Sequence, residues 1–394
     1  MTRRILNSIE TVGQGKTGNL VLEGDNLEVM SLLRHDLHER VAVIYIDPPY
    51  NSGKVHYRFS DRFDEEQERI SGDADRHGAW IEFMRPRLSM MRDLLKPEGV
   101  LFVSIDDHEL YRLGVLMDGI FGEANRLAVI CWEKKYGVQN DARFFSDSHE
   151  YILCYAKDRQ RARIKLLPRS EEMNNRYRNP DKDPRGPWKS GDFSVKTPSQ
   201  NYLYPIKTPS GRTVTPPAGR SWCTNEARFR ELVKDRRIWF GVKGDAKPQL
   251  KQFLSEVKSG KVPSSLWTYR EVGHTDTAKK ELKRILDLSG KDFQTPKPTA
   301  LVKRCIDLVA GPKDLVLDAF AGTGTTGQAV LEMNSKDGGH RQFVLIEVGQ
   351  EGDRFCRELT VERLRRVISG EWHSGRVKGT GGGFDYKRVS MGQT

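Results

Sequence analysis

Val41-Ala42-Val43-Ile44-Tyr45-Ile46-Asp47-Pro48-Pro49-Tyr50 is the stretch on which the reading of this chain turns. Six uninterrupted apolar residues, four of them β-branched, describe a strand covered on both faces, the situation of a parallel sheet rather than of a half-solvated hairpin. The run stops at an aspartate and two prolines, which cannot continue a ladder. Upstream, Asn19 to Asp25 reads as a short strand ending in a turn, and Leu27, Met30 and Leu33 share one face of a helix. Downstream, Trp80, Met84, Leu88, Met91 and Leu95 repeat at helical spacing until Lys96-Pro97-Glu98-Gly99, after which Val100 to Ile105 forms a second buried strand. Ile152 to Tyr155 is a further strand. The alternation resumes near residue 293, with a helix from Lys303 to Val309, a strand at Leu315-Val316-Leu317, a helix from Gly324 to Met333 and a strand from Gln342 to Ile346. Alternating elements of this kind specify an α/β fold with a doubly wound, mostly parallel, Rossmann-like sheet. Phe384 to Val389 alternates as a terminal edge strand would, or forms a tail.

The sheet pattern is interrupted where the charge changes. The chain has 394 residues and a formal charge of +11. Residues 158–262 hold 24 Lys and Arg against 11 Asp and Glu, while the rest of the chain holds 41 against 43, so the whole excess lies in the middle. Ten of the 18 prolines are there too, with aromatic residues among the basic ones in Asn175-Arg176-Tyr177-Arg178 and Arg236-Arg237-Ile238-Trp239. Lys and Arg neutralise phosphates, and Arg or Asn reads base edges, so the segment suits a nucleic acid; a merely solvated basic surface is the plainer alternative. The expected organisation is therefore a first half of the sheet domain over 1–157, a basic insertion over 158–265, a second half over 266–370 and a C-terminal strand or tail over 371–394. Five cysteines stand far apart with no C-x-x-C pair, which argues against a disulfide scaffold or a structural metal. No apolar run has the ~18–20 residues a membrane span needs, and the N-terminus lacks a signal-peptide core, so a cytoplasmic protein is expected.

Two stretches carry chemistry. The strand Leu315-Val316-Leu317 runs into Asp318-Ala319-Phe320-Ala321-Gly322-Thr323-Gly324-Thr325-Thr326-Gly327 and then a helix, a Gly-rich turn where α/β sheets bind ligands. Gly322 to Gly327 matches the dinucleotide pattern G-x-G-x-x-G, with Glu347 placed as a ribose-binding acid would be, so a nicotinamide-type site stays open on this half alone. The other stretch is Asp47-Pro48-Pro49-Tyr50. A carboxylate and the Pro48 carbonyl on a rigid backbone can accept both hydrogens of one planar NH2 group, while Tyr50 offers a face for stacking. Such a group is the exocyclic amine of a nucleobase, which would have to be flipped out of a duplex to arrive there. The plainer reading is an Asp-Pro turn closing a strand.

On these residues the chain resembles the amino-methylating, S-adenosylmethionine-dependent DNA methyltransferases, which pair a D-P-P-Y motif with a D-x-F-x-G-x-G cofactor loop. The motif precedes the loop with the basic segment between, the circularly permuted order of the beta class. Ile46 to Gly53, Trp80 to Leu95, Gly99 to Asp106, Ser148 to Leu153, Thr295 to Pro298 and Val316 to Thr326 look most like Mod subunits of type III restriction–modification systems. Those act on adenine N6, although this chain is shorter than typical Mod subunits, which points to a missing part of their recognition or partner-binding region.

The resemblance implies that Asp47 and the Pro48 carbonyl hold the amine, Pro49 fixes the turn, Tyr50 stacks on the flipped adenine and Asn51 lies beside it. It implies cofactor contacts from Phe320, Gly322 and Gly324, an ordering role for Asp318, and ribose binding by Glu347. Asp25 and Asn26 would lie near the cofactor adenine, and Thr295, Pro296 and Lys297 would flank its methionine carboxylate. Arg176, Arg178, Arg236 and Arg237 are the candidate contacts to double-stranded DNA. Asp25 and Asp318 also have structural readings, as a helix cap and as an acceptor for turn amides; Asp106 and Asp107 read as a helix cap, and His149-Glu150 as structural.

Gly15-Lys16-Thr17 lacks the first glycine of a P-loop, and His108-Glu109 lacks the second histidine of a zinc protease, so neither ATP hydrolysis nor a catalytic metal is expected. The resulting expectation is adenine-N6 methylation of double-stranded DNA by a homodimer, with any restriction activity residing in a separate subunit. Cytosine-N4 methylation is the neighbouring alternative, RNA a remoter substrate, and a DNA-reading specificity subunit without catalysis the alternative of another class.

Overall fold

The structure, a computed structural model, describes residues 4–53, 55–56, 59–60, 73–137, 142–288, 296–349 and 354–391. The chain divides into two compact units, one of residues 1–165 with 264–394, the other of residues 166–263.

The first unit is built on one ten-stranded sheet. Its strands, in chain order, are β1 (Arg4–Gly13), β2 (Leu20–Glu23), β3 (Val41–Ile46), β4 (Leu95–Ile105), β5 (Arg126–Glu133), β6 (His149–Ala156), β7 (Leu266–Trp267), β8 (Leu315–Asp318), β9 (Gln342–Glu347) and β10 (Gly383–Met391). Across the sheet they run β1-β10-β2-β9-β8-β3-β4-β6-β5-β7. Every pairing from β10 to β4 is parallel, whereas β1 and β6 are each antiparallel to their neighbours. This is the mostly parallel α/β sheet expected from the alternating elements, and all six residues of β3 are buried, as a central parallel strand requires.

Because side chains alternate across a strand, each central strand feeds two cores. Ile44, Ile46, Leu101, Val103, Leu317, Val344 and Ile346 form one cluster with α1 (Asn26–Leu37), α2 (Asp73–Leu94) and α3 (Leu110–Phe121), where Met30, Trp80, Met84, Leu88, Met91, Leu113 and Met117 are buried. The alternate residues, among them Val43, Phe102, Val316 and Phe343, are equally buried. Beyond them in sequence come α4 (Thr275–Ile285), α5 (Thr299–Val309), α6 (Thr325–Asp337) and α7 (Glu362–Ser369), with α5 packed on β3, β4 and α6.

Several elements depart from the sequence expectation. Lys96 to Gly99, read as the end of a helix, lie inside β4, which begins at Leu95 directly after α2; a register irregularity between Val41 and Val43 absorbs the proline. Strand β10 is not at the edge, since it pairs with β1 on one side and β2 on the other. The edge strand is β1, whose residues are largely exposed and whose apolar residues Ile5, Leu6, Ile9 and Val12 do not alternate at strand period, so it carries no clear pattern for a sequence reading to find. Helix α3 starts at Leu110, later than a cap at Asp106 or Asp107 would place it; Asp106 accepts instead from the His108 amide at 3.0 Å.

The second unit has its own small core of Phe193, Tyr204, Ile206, Val214, Trp222, Phe229, Ile238 and Phe240. A three-stranded antiparallel sheet sets Gln249–Phe253 between Trp188–Asp192 and Ile238–Trp239. Buried Lys251 is satisfied by the carboxylates of Asp181 and Asp183, as a buried ammonium must be. The helix Glu226–Lys234 is capped by the Asn225 side chain.

Among the described residues no helix is long and apolar enough to cross a membrane, and no group of three or more His, Cys, Asp or Glu is placed to hold a metal ion. Leu101 is fully buried in the first unit's core, so Leu101→Ala is expected to lower unfolding stability by about 2–5 kcal/mol, read as a reduced midpoint in urea denaturation.

Candidate active site at the carboxyl edge of the sheet

Parallel strands end together, and their carboxyl ends leave side chains unused by the ladder. Here β2, β9, β8 and β3 are consecutive neighbours. Their ends carry Asp25 and Asn26, Glu347, the turn from Asp318 to Gly324, and Asp47 to Asn51 respectively. Strand β8 pairs directly with β3, Val316 opposite Val43 and Leu317 opposite Ile44, so the Gly-rich turn and the D-P-P-Y turn emerge side by side.

The D-P-P-Y turn is braced from below. The Trp80 indole of α2, fully buried, donates to the Pro49 carbonyl at 2.8 Å. Asn51 adopts a positive φ of 56°, a conformation asparagine tolerates better than most residues. Its buried amide donates to the Glu109 carboxylate at 2.6 Å, so Asn51 is built into the scaffold beneath the turn.

Above this support lies a group of charges. The Tyr50 hydroxyl donates to Asp47 Oδ1 at 2.8 Å and is 3.2 Å from Glu150 Oε2. Lys297 Nζ, from the segment just before α5, donates to the Tyr50 hydroxyl at 2.7 Å and stands 2.9 Å from Asp47 Oδ1 and 3.2 Å from Glu150 Oε2. Lys134 in turn joins Glu150 Oε1 at 3.3 Å and Asp147 at 2.7 Å. Burial pushes the Asp47 carboxyl above the usual carboxylate range; Lys297 opposes the rise and the Glu150 charge adds to it. Burial acts on Glu150 in the same sense, but the two ammonium groups outweigh it and hold that carboxyl low. For Lys297 the desolvation that would weaken its charge is overcome by Asp47 and Glu150, so its ammonium is held firmly protonated.

The Gly-rich turn is held from within. Asp318 accepts from the Phe320 amide at 3.0 Å and from the Thr326 hydroxyl, and burial pushes its carboxyl up to about 7. Glu347 accepts from the Gly322 amide, and from the Val348 amide at 3.1 Å. Gly322 and Gly324 have φ of 53° and 80°, and a side chain at Gly324 would crowd Thr360. Beneath the turn, fully buried Arg363 of α7 donates to the hydroxyls of Thr323 and Thr325 at 2.7 and 2.8 Å and to Gln328 at 2.7 Å. At the end of β2, Asp25 caps α1 through the Glu28 amide at 3.0 Å and also receives Arg87 of α2 at 2.6 Å. The same guanidinium binds the Asn26 side-chain oxygen at 2.6 Å, while the Asn26 amide donates to the Ala319 carbonyl at 2.8 Å. Phe320 faces Phe83 at 6.2 Å, and Arg87 stacks on the Phe83 ring at 3.7 Å.

All the described residues singled out on the two sheet halves thus converge on one edge. Pro296 and Lys297 are buried there, whereas Thr295 lies outside the described residues. The four arginines belong to the other unit and differ among themselves. Arg237 is engaged by Asp235 and Glu256, and Arg176 by Glu172. Arg178 and Arg236 are exposed and take part in no ion pair among the described residues. The sequence reading missed Lys134, Arg87 and Arg363 altogether: Lys134 and Arg363 sit among other charged residues that look like a solvated face, and Arg87 lies between a proline and a leucine in a helix read only for its apolar repeat. It noticed Glu150 but assigned it no part in the D-P-P-Y site.

A mostly parallel sheet that presents a D-P-P-Y turn and a Gly-rich turn side by side defines an α/β protein with two motif-bearing turns at its carboxyl edge. The model of the DNA methylase family acting on N6 or N4 amines matches residues 41–354, and the chain belongs to that family. It is 37% identical to the Mod subunit of the type III restriction–modification enzyme StyLTI of Salmonella typhimurium, over 91% of this chain and 58% of that protein. It is 32% identical to the EcoPI Mod subunit of Escherichia phage P1, over 89% of this chain and 62% of that one. With the type II methyltransferase M.KpnI of Klebsiella pneumoniae it shares 30% identity over 89% and 88% of the two chains. The chain therefore spans about 60% of the length of the two Mod subunits.

Asp318 gives a pH dependence with a defined sign. Its carboxyl is raised to about 7 in the fold against 3.8 as the reference, so its contribution to stability is complete below about pH 4 and is lost as pH rises through about 7. Asp318→Asn is expected to flatten that part of the stability–pH curve, measured by urea denaturation at successive pH values.

Proposed function

We propose that the chain is an S-adenosylmethionine-dependent methyltransferase acting on the N6 amine of adenine in double-stranded DNA. The observation that carries this reading is the pairing of β3 with β8, which sets Asp47-Pro48-Pro49-Tyr50 beside the turn Asp318 to Gly324. Membership of the DNA methylase family supports it.

The residues at the edge fit the cofactor. Its recognition needs a turn without side chains, a carboxylate for the ribose and an open, partly apolar wall; Gly322 and Gly324, Glu347 and half-buried Phe320 supply these. Asp25 and Asp47 keep 50% and 27% of their side chains accessible, so molecules can reach both ends of the edge. When bound, the cofactor supplies an electrophilic methyl group. Asp47 and the Pro48 carbonyl would accept the two hydrogens of the target amine and orient its lone pair, and Tyr50 would offer its ring to the base. The resemblance to the amino-methylating enzymes favours adenine over cytosine, because cytosine-N4 relatives commonly carry Ser-Pro-Pro-Tyr where this chain has Asp47-Pro48-Pro49-Tyr50.

Residues 166–263 would dock the duplex, a reading supported by the concentration of positive charge in that stretch. Arg178 and Arg236, exposed and unclaimed by any described ion pair, suit phosphates better than Arg176 and Arg237. Resemblance to Mod subunits alone supports a homodimeric working form and a separate restriction chain as partner.

Incubation with methyl-labelled S-adenosylmethionine and unmethylated genomic DNA, followed by nucleoside mass spectrometry, tests the activity. N6-methyladenine is expected, with a loss of at least about 100-fold in Asp47→Ala, since removing one preorganised electrostatic partner costs on the order of 10²–10³ in rate. Labelled N4-methylcytosine would move the substrate, and cofactor binding without product would favour a DNA-reading subunit. In a separate measurement, DNA affinity should fall steeply with salt. Arg178→Ala or Arg236→Ala should reduce the slope of log K against log salt by about 0.9 for each phosphate no longer neutralised.

A further inference from the structure

We propose that Lys297 is a positioning residue for Asp47: clamped by Glu150, its ammonium keeps the D-P-P-Y carboxylate ionised and turned so that one oxygen faces the reacting amine. This rests on the methyltransferase reading above and adds to it a residue that acts on the amine's acceptor.

To accept a hydrogen bond from an amine, Asp47 must be a carboxylate, because a protonated carboxyl offers a donor where an acceptor is needed. Its surroundings work against this. Burial disfavours its charge and Glu150 repels it. Tyr45 and Tyr50 are the other titratable groups against it, both kept protonated by burial. Among the described residues Lys297 is the cation in contact with Asp47, and it is itself only 7% exposed.

The geometry fixes the orientation as well as the charge. Lys297 Nζ and the Tyr50 hydroxyl both meet Asp47 at Oδ1, so Oδ2 is the oxygen directed to the amine. Lys297 cannot drift, because Glu150 Oε2 holds it from the other side, and Glu150 is tied at Oε1 to Lys134, which Asp147 anchors. The aromatic walls complete the seat: Lys297 Nζ stands 4.9 Å from the centre of the Tyr50 ring and 5.8 Å from that of Trp132. The remaining carboxyl near Glu150 is Asp106, itself raised by burial and engaged by His108. The Lys297 ammonium is thus shared between two carboxylates, of which Glu150 has Lys134 as a second cation and Asp47 has none among the described residues.

Opposite shifts from two substitutions make the test. Single-turnover methyl transfer is measured against pH in wild type, Lys297→Gln, Lys297→Arg and Glu150→Gln. In parallel, the Asp47 carboxyl is titrated by ¹³C NMR, its resonance identified by its disappearance in Asp47→Asn. Lys297→Gln should move the acid limb and the Asp47 titration upward by about 1–3 pH units, lowering the rate about ten-fold per unit below the limb and recovering it at high pH. Glu150→Gln removes a repelling charge and leaves Lys297 to Asp47 alone, so it should move both downward. Lys297→Arg should restore the wild-type limb. If Lys297→Gln does not fold, Lys297→Met, which keeps an unbranched apolar side chain in the buried seat, is titrated in its place with the same upward shift expected.

An Asp47 titration that is the same in wild type and both Gln variants would overturn the proposal. So would a Lys297→Gln variant that only raises the S-adenosylmethionine concentration needed for half-saturation, since that would make Lys297 a cofactor contact. A wild type that methylates nothing while its Asp47 titration follows the predicted shifts would sink the methyltransferase reading and leave the carboxylate–lysine coupling standing.

Discussion

The parallel pairing of β8 with β3 is the constraint on which the rest depends. It joins strands from opposite ends of the chain, and because parallel neighbours end at the same edge, it forces the two turns that follow them to emerge together. No loop has to be long or strained to achieve this. The apolar run of β3 and the short, buried β8 are held by helices packed on the sheet, so the relative position of the turns inherits the rigidity of a close-packed core.

Each turn is then fixed by groups that belong to other elements. Trp80 and Glu109 secure Pro49 and Asn51 from the helical side, and Arg363 with three hydroxyl or amide partners secures the Gly-rich turn from beneath. A buried guanidinium is costly unless its donors are satisfied. Arg363 meets that condition by bonding the residues whose conformation the turn needs, so its satisfaction and the shape of the turn are one requirement. The same logic operates at Arg87, which joins Asp25 and Asn26 to the aromatic pair Phe83 and Phe320.

Electrostatics divides the edge into two parts. On the β8 side, Asp318 is buried without a cation among the described residues and its carboxyl rises to about 7, as suits a brace that bonds a backbone amide and a hydroxyl. On the β3 side the carboxyls share ammonium groups, and the outcome differs between them: Glu150, between two lysines, is held low, while Asp47, with one, is raised. Two partly buried acids thus acquire different character, in which the number of cations each one touches is decisive.

By itself, the sequence determined what is local and periodic. The six buried residues of β3, the helical repeat from Trp80 to Met91, the strand–turn–helix at Leu315 to Gly324 and the D-P-P-Y tip were legible because side-chain period, φ restriction and turn chemistry act over a few residues. It also showed the basic bias of the middle segment, since charge is a matter of composition. Tertiary structure alone decided that β1 forms the edge outside β10, that Asn51 is built into the scaffold, and that Lys297, Glu150 and Lys134 meet around Asp47. An exposed edge strand whose apolar residues do not alternate leaves no periodic signature, and an ion pair between residues remote in sequence has no spacing to betray it. Its strength comes from low dielectric and short distance, which exist only once the core has closed.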